Sequence, residues 1–341
     1  VRLILEKLMS NDPLICEVTR GTMVESRHRV HAMIADADGV RAVWGSPDLM
    51  FYPRSAIKFM QALPLIESGA ADKFAVTGPE TALASASHSG ASEHVDGVAA
   101  FLKRLGLDAD ALGCGAHLPY DMEAAHALVR QGLAPTRLHN NCSGKHAGFL
   151  ATALTLGETT QGYLDPDHPV QKRLYDILTD LGGEDLAGTG RGIDGCGIPV
   201  YGMTLRALVR AAQRMADPHS LGAVRGGAAD RVLDAVSTHP YLVAGRGRFD
   251  TDVMTAFDGE IATKGGAEGV HVAILRKHKI GIVLKTEDGE KRAGDVAMAW
   301  LLEQVGVFND ARRKKLQAHI SPRIVNAAGT VAGTIRIAAR E

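Results

Sequence analysis

The chain lacks an excess of charge of either sign: 38 Lys and Arg stand against 39 Asp and Glu in 341 residues, a net charge of −1. Without a basic stripe, nucleic acid and anionic membranes are excluded as expected partners. Long apolar runs are also missing, because Gly, Thr or a charge interrupts each stretch before it reaches membrane-spanning length. The opening Val1 to Pro13 places a short apolar run among Arg2, Glu6, Lys7, Asn11 and Asp12. It has no A-x-A-like cleavage site and reads as no export signal. Cysteine is scarce: Cys16, Cys114, Cys142 and Cys196 are too widely spaced for a disulfide framework, and no C-x-x-C pair is present. A cytoplasmic setting is the resulting expectation. No internal repeat or low-complexity linker divides the chain. What is there, 45% hydrophobic and 23% charged residues, is ordinary globular composition, enough for one large domain or two smaller ones.

Strand patterns occupy the two ends. Leu14 to Val18, Arg29 to Ala35 and Val40 to Trp44 carry β-branched residues, with Asp38-Gly39 as a turn. Strands return after Pro240 at Glu260 to Thr263, Val270 to Leu275, Ile280 to Lys285 and Gly329 to Ala338, with a helix over Gly294 to Val305. Between them run helical patterns closed by glycine: Ala56 to Ser68, Glu93 to Leu105, Met122 to Gln131, Lys145 to Leu156 and Val170 to Leu181. Two more are expected at Thr204 to Met215 and Ala223 to Val236. Short turns between consecutive strands predict a mostly antiparallel sheet. The fold class is therefore α/β of the α+β kind: one sheet built from both chain ends, residues 1–54 plus 241–341, with a predominantly helical block, 55–240, inserted between them.

Five constellations could carry chemistry. Ser55-Ala56-Ile57-Lys58 is the only S-x-x-K and begins a run too apolar for a surface helix. Serine and lysine at this spacing share a helix face, and a buried lysine can act as a base toward a hydroxyl. The motif alone is weak, since two common residues meet this way by chance about once in a chain of this size. The alternative is an N-cap serine followed by a snorkelling lysine; the apolar run around Lys58 favours function. Lys264-Gly265-Gly266-Ala267-Glu268-Gly269 follows a predicted strand. It reads either as a glycine hairpin with an exposed lysine or as a second cation whose loop supplies a backbone N–H to an oxyanion hole. In Ser85-Ala86-Ser87-His88-Ser89-Gly90 a second serine could relay a proton, or the segment simply ends a helix. His139-Asn140-Asn141-Cys142-Ser143-Gly144-Lys145-His146 opens a helix and offers N–H groups to an anion such as a substrate carboxylate, or forms a capped loop. Asp194-Gly195-Cys196-Gly197 is a tight turn, or a carboxylate for an ammonium group; two cysteines as distant as Cys142 and Cys196 make a poor zinc signal by spacing alone.

Taken in order, these motifs, together with Phe51-Tyr52-Pro53-Arg54, Gln61-Ala62-Leu63-Pro64, Glu17-Val18-Thr19-Arg20-Gly21 and Val24-Glu25-Ser26, resemble the Rhizobium etli type of L-asparaginase, the asparaginase II family, from about residue 13 to 294. The resemblance implies a serine β-lactamase-like fold, shared with penicillin-binding proteins and serine-type glutaminases. It implies hydrolysis of L-asparagine, with Ser55 as nucleophile, Lys58 as its base, and Ser87 with Lys264 as a second serine–lysine pair. It also implies zinc held by Cys142, Lys145 and Cys196, and a homodimer. Arg54, His139, Asn140, Asp194 and Ala267 are the candidates for holding a small zwitterionic substrate and its oxyanion. Competing readings are a glutaminase, a β-lactamase-like hydrolase, and a zinc-stabilised small-molecule-binding protein without catalysis. Ser85 stands where relatives commonly carry cysteine, and Ala91 where they often carry an acid.

Overall fold

A computed structural model describes residues 8–339. The opening run read for an export signal lies outside them as far as residue 7. Two compact units emerge, one of Val1–Ala56, Met203–Asp217 and Thr263–Glu341, the other of Ile57–Gly202 and Pro218–Ala262.

The first unit is built on a nine-stranded sheet. Its strands are β1 (Leu8–Ser10), β2 (Leu14–Arg20), β3 (Met23–Asp36), β4 (Gly39–Trp44), β5 (Ala262–Gly265), β6 (Val270–Leu275), β7 (Ile280–Thr286), β8 (Arg323–Val325) and β9 (Val331–Ile337). The order is β8-β9-β2-β3-β7-β6-β5, with β4 also on β3 and β1 on β4. The registers of β2, β4 and β7 on β3 and of β6 on β7 are antiparallel, and β1 runs parallel to β4. Strand β3 is long enough to serve three partners: its first half pairs with β2, and its second half lies between β4 and β7. In β6 and from Ile280 to Leu284 of β7 every residue is buried, so both faces of the sheet are covered there.

Helices Leu205–Ala216 and Lys291–Gln304 supply cover, the former on β7, β6 and β3. Gly281 permits that close approach, since a Cβ there would stand 2.4 Å from the Gln213 backbone nitrogen. Sequence order keeps residues 203–217 within the helical block. Amphipathic spacing shows that this helix buries a face, but not against which element.

The second unit is helical, with a core that includes Leu65, Phe101, Leu150, Tyr163, Leu174 and Ile198. Helix Ser143–Leu156 is buried from Ser143 through Ala153. At Gly144 a Cβ would lie 2.3 Å from the Leu83 carbonyl oxygen, so only glycine lets this helix start against helix Gly78–Ala84. A Thr77/Glu80 capping box starts helix Gly78–Ala84, and the loop carrying Ser87 follows its end.

The expected continuous helix from Ala56 to Ser68 is instead a 3-10 turn, Arg54–Ile57, followed by short helices Lys58–Gln61 and Leu63–Glu67. Pro64, lacking an N–H, sits in the first turn of the last of these and restarts the helix rather than continuing it. No helix among the described residues is long and apolar enough to cross a membrane.

Candidate active site

In the helical unit the centre of the site is Lys58. It opens helix Lys58–Gln61 and is completely buried. Its Nζ donates to the Ala86 carbonyl at 2.6 Å, to Ser87 Oγ at 2.8 Å and to Cys142 Sγ at 3.0 Å. These three acceptors use the three N–H groups of an ammonium. Because a hydroxyl also donates, Ser87 can hand a proton to the neutral amine without moving. Lys58 makes no ion pair among the described residues. A buried amine facing a hydroxyl can exchange a proton with it.

Ser87 is held from behind by its backbone N–H, which donates to the Val243 carbonyl at 3.0 Å. Ser85, two residues earlier, turns its hydroxyl back to the Thr81 carbonyl at 3.0 Å. Ala91 occupies the N-cap of helix Ser92–Arg104 and gives it no side-chain cap, where an acid would.

The same unit brings Cys142, Lys145 and Cys196 together. Cys196 lies in the turn of a two-stranded ribbon, Arg191–Ile193 with Pro199–Tyr201, and Gly197 takes the left-handed φ of 90° that this turn needs. Lys145 Nζ donates to Cys196 Sγ at 3.1 Å, and Asp194 Oδ2 stands 3.7 Å from the same sulfur. Cys196 is lowered to about 5, its interaction with Cys142 and the Lys145 charge outweighing burial. That same interaction, together with burial, pushes Cys142 up. Burial works against the Lys145 charge, but the Cys196 and Cys142 sulfurs outweigh it and keep the amine protonated.

No group of three or more His, Cys, Asp or Glu side chains placed to hold a metal ion is found among the described residues. Two sulfurs and one amine do converge, and this donor set suits zinc, provided that Lys145 gives up its proton on binding.

Other candidates in this unit are used by the loop itself. Asn140 Oδ1 accepts from the Cys142 N–H at 2.9 Å, and its amide donates to the Gly115 carbonyl at 2.7 Å, which fixes the turn before helix Ser143–Leu156. His139 Nδ1 accepts from the Thr136 N–H at 3.0 Å, and the ring lines a cleft of about 490 Å³ with Gly90, Tyr241 and Arg246.

In the sheet unit, Arg54 and Ser55 are half-buried on the 3-10 turn. Arg54 adopts φ of 51°, a conformation that non-glycine residues take at a cost. Lys264 is the last residue but one of β5, is buried, and donates to the Gly265 carbonyl at 2.7 Å. Gly266 seats the following loop directly on the Ser55 turn: its added Cβ would lie 2.9 Å from the Pro53 oxygen and 3.0 Å from the Ala56 nitrogen. Ala267 is exposed on that loop, and Glu268 beyond it has φ of 59°. The boundary between the two units falls inside Ser55-Ala56-Ile57-Lys58.

Two features escaped the sequence. Cys142 touches Lys58 as well as the other thiol, a contact between residues 84 positions apart that no spacing reveals. His146 and Tyr163 form a buried pair, Nδ1 to hydroxyl at 2.7 Å, behind the sulfur cluster. The density of polar residues around His146 was the one available signal.

The family described as L-asparaginase II matches residues 16–337. None of the curated proteins compared with the chain matches it. Among solved structures the chain is similar to a Bacteroides dorei DSM 17855 protein provisionally described as a beta-lactamase, at 13% identity and TM-score 0.45 over 81% of this chain and 93% of that one. It is also similar to Mglu in its tris and glutamate form, at 13% identity and TM-score 0.46, covering 88% of this chain and 65% of that one. For native Mglu the values are 14% and 0.44, covering 81% and 64%. Such distant likeness bears on neither chemistry nor substrate.

Proposed function

We infer that this chain, which belongs to the L-asparaginase II family, is an amide hydrolase that converts L-asparagine to L-aspartate and ammonia through a seryl acyl-enzyme. One observation carries the reading: Lys58 is fully buried and its Nζ lies 2.8 Å from Ser87 Oγ.

Ser55 Oγ attacks the side-chain amide carbon while neutral Lys58, three residues on in the chain, takes the hydroxyl proton. The negative oxygen of the tetrahedral intermediate accepts from the backbone N–H groups of Ser55 and Ala267. Lys58 passes the proton to Ser87, and Ser87 with Lys264 delivers it to the departing nitrogen. The C–N bond breaks, ammonia leaves, and an aspartyl ester remains on Ser55. Water then attacks the ester, losing its proton to the same groups, and Ser55 regains its hydrogen. Arg54 takes the substrate α-carboxylate and Asp194 its ammonium group, with the loop at His139 and Asn140 shaping the pocket.

Cys142, Lys145 and Cys196 would hold zinc. When bound, the metal supplies a fixed positive charge that orders the substrate pocket. The chain acts as a homodimer in this reading, which sedimentation at micromolar concentration checks.

The test is ammonia release by the purified protein from asparagine and from glutamine, beside turnover of a chromogenic β-lactam and the Ser55→Ala variant. Release from asparagine that the variant loses supports the reading. Preference for glutamine or the β-lactam, or a Ser55→Ala variant at full rate, overturns it.

A further inference from the structure

The loop Ala86–Gly90 and the turn Leu138–Ser143 are bridged by two side chains within the helical unit. Lys58 is one, through Ala86, Ser87 and Cys142. His88 is the other, and the reaction sequence above gives it no part. It is completely buried. The Gly90 N–H donates to its Nδ1 at 3.2 Å, so that nitrogen carries a lone pair and the ring proton sits on Nε2. Nε2–H therefore donates to Ser143 Oγ at 2.9 Å, and the Ser143 hydroxyl donates onward to the Leu138 carbonyl at 2.9 Å. The backbone N–H of His88 reaches the Asn141 carbonyl at 3.2 Å. His94 stacks on the ring face, with centroids 5.0 Å apart and planes 10° apart. Each donor in this chain has one acceptor, so the proton order runs one way and the ring has one orientation.

We propose that His88 is the positioning residue of Ser87: by locking the neighbouring residue to the turn that carries Cys142, it fixes the serine hydroxyl on Lys58 Nζ. The inference rests on the reading of Ser87 as a proton-transfer group. His88 is not a base in this scheme, because its only lone pair is occupied by Gly90. Its contribution is geometric, and a displacement of about 1 Å at such a site can cost on the order of 100-fold in rate.

Three variants of the full chain test it. His88→Ala removes both arms, Ser143→Ala removes the acceptor of the Nε2 proton, and His88→Gln keeps an amide donor that reaches Ser143. The expected result is a fall in kcat of roughly 10- to 100-fold for His88→Ala and Ser143→Ala, KM changing less than about threefold, and recovery of most of kcat in His88→Gln. Two substrate-free spectra accompany the kinetics. Nitrogen-15 spectra of histidine-labelled protein should show His88 as the Nε2–H form, and the Lys58 Nζ resonance of lysine-labelled protein should move in Ser143→Ala. Wild-type kcat in Ser143→Ala, an Nδ1–H form of His88, or an unmoved Lys58 resonance each overturns the proposal. A wild-type enzyme inert toward asparagine and glutamine while both spectra behave as stated sinks the assigned reaction and leaves the positioning geometry standing.

Discussion

Replacing Lys58 by methionine separates the catalytic from the structural role of the buried amine. Methionine is unbranched, apolar and close to lysine in length, so it can follow the same path through the core. The substitution removes hydrogen bonds of 2.6 Å to the Ala86 carbonyl, 2.8 Å to Ser87 Oγ and 3.0 Å to Cys142 Sγ. A buried carbonyl left without a donor costs about 1–3 kcal/mol. The Ser87 hydroxyl can rotate to find another partner, and the thiol is a weak acceptor, so those two losses are smaller. Against this stands relief from burying a polar amine, whose transfer out of water costs about 1–3 kcal/mol where its hydrogen bonds only partly compensate. The balance leaves Lys58→Met within about 2 kcal/mol of the parent in urea unfolding. Loss of the base should lower ammonia release by roughly 10²- to 10⁴-fold. Both quantities are read on one preparation, by a coupled ammonia assay and by denaturant midpoint. A folded Lys58→Met protein that keeps more than about a tenth of kcat would refute the assignment, because general-base loss should exceed tenfold.

Three further outcomes follow from the same geometry. Burial holds His146 down to about 3, the Lys145 charge adding to it, and burial likewise lowers His88 and His94. The unfolded chain therefore binds more protons than the folded one below about pH 6.5, and stability should fall as pH drops from there toward 3, by up to about 1.4 kcal/mol per pH unit for each histidine. A urea midpoint flat between pH 6.5 and 4.5 would contradict this. Gly266→Ala forces a Cβ to 2.9 Å from the Pro53 oxygen, so the loop after Lys264 must shift from the Ser55 turn. Activity should drop at least tenfold with about 1–3 kcal/mol lost in unfolding, whereas an unchanged kcat would show that the loop is not needed there. Chelation, followed by metal analysis, should raise KM more than it lowers kcat; complete loss of turnover on clean metal removal would make the metal catalytic.

The sheet was legible where burial is two-sided and the text is continuous, as in Val270–Leu275. It was illegible in the first half of β3, Met23 to Arg29, where charged residues on a half-exposed strand hide the pattern. Helix Leu205–Ala216 was legible as a helix, but its packing partner β7 was not, because amphipathicity names a face and not a neighbour. At the site, residue types and local spacing marked Ser55, Lys58 and the Cys142 turn. The bond from Lys58 to Cys142 joins segments brought together only by the helical core, and His88 reads in sequence as one polar residue among serines. The sequence therefore identified the candidate groups, while their partners required the fold.

The most direct test of the central claim is to quench the enzyme with acid during asparagine turnover and map the modified residue by peptide mass spectrometry. The account predicts an aspartyl ester on Ser55, absent from Ser55→Ala. An adduct on Ser87, the serine that Lys58 holds at 2.8 Å, or on Cys142 would assign the nucleophile elsewhere and contradict it.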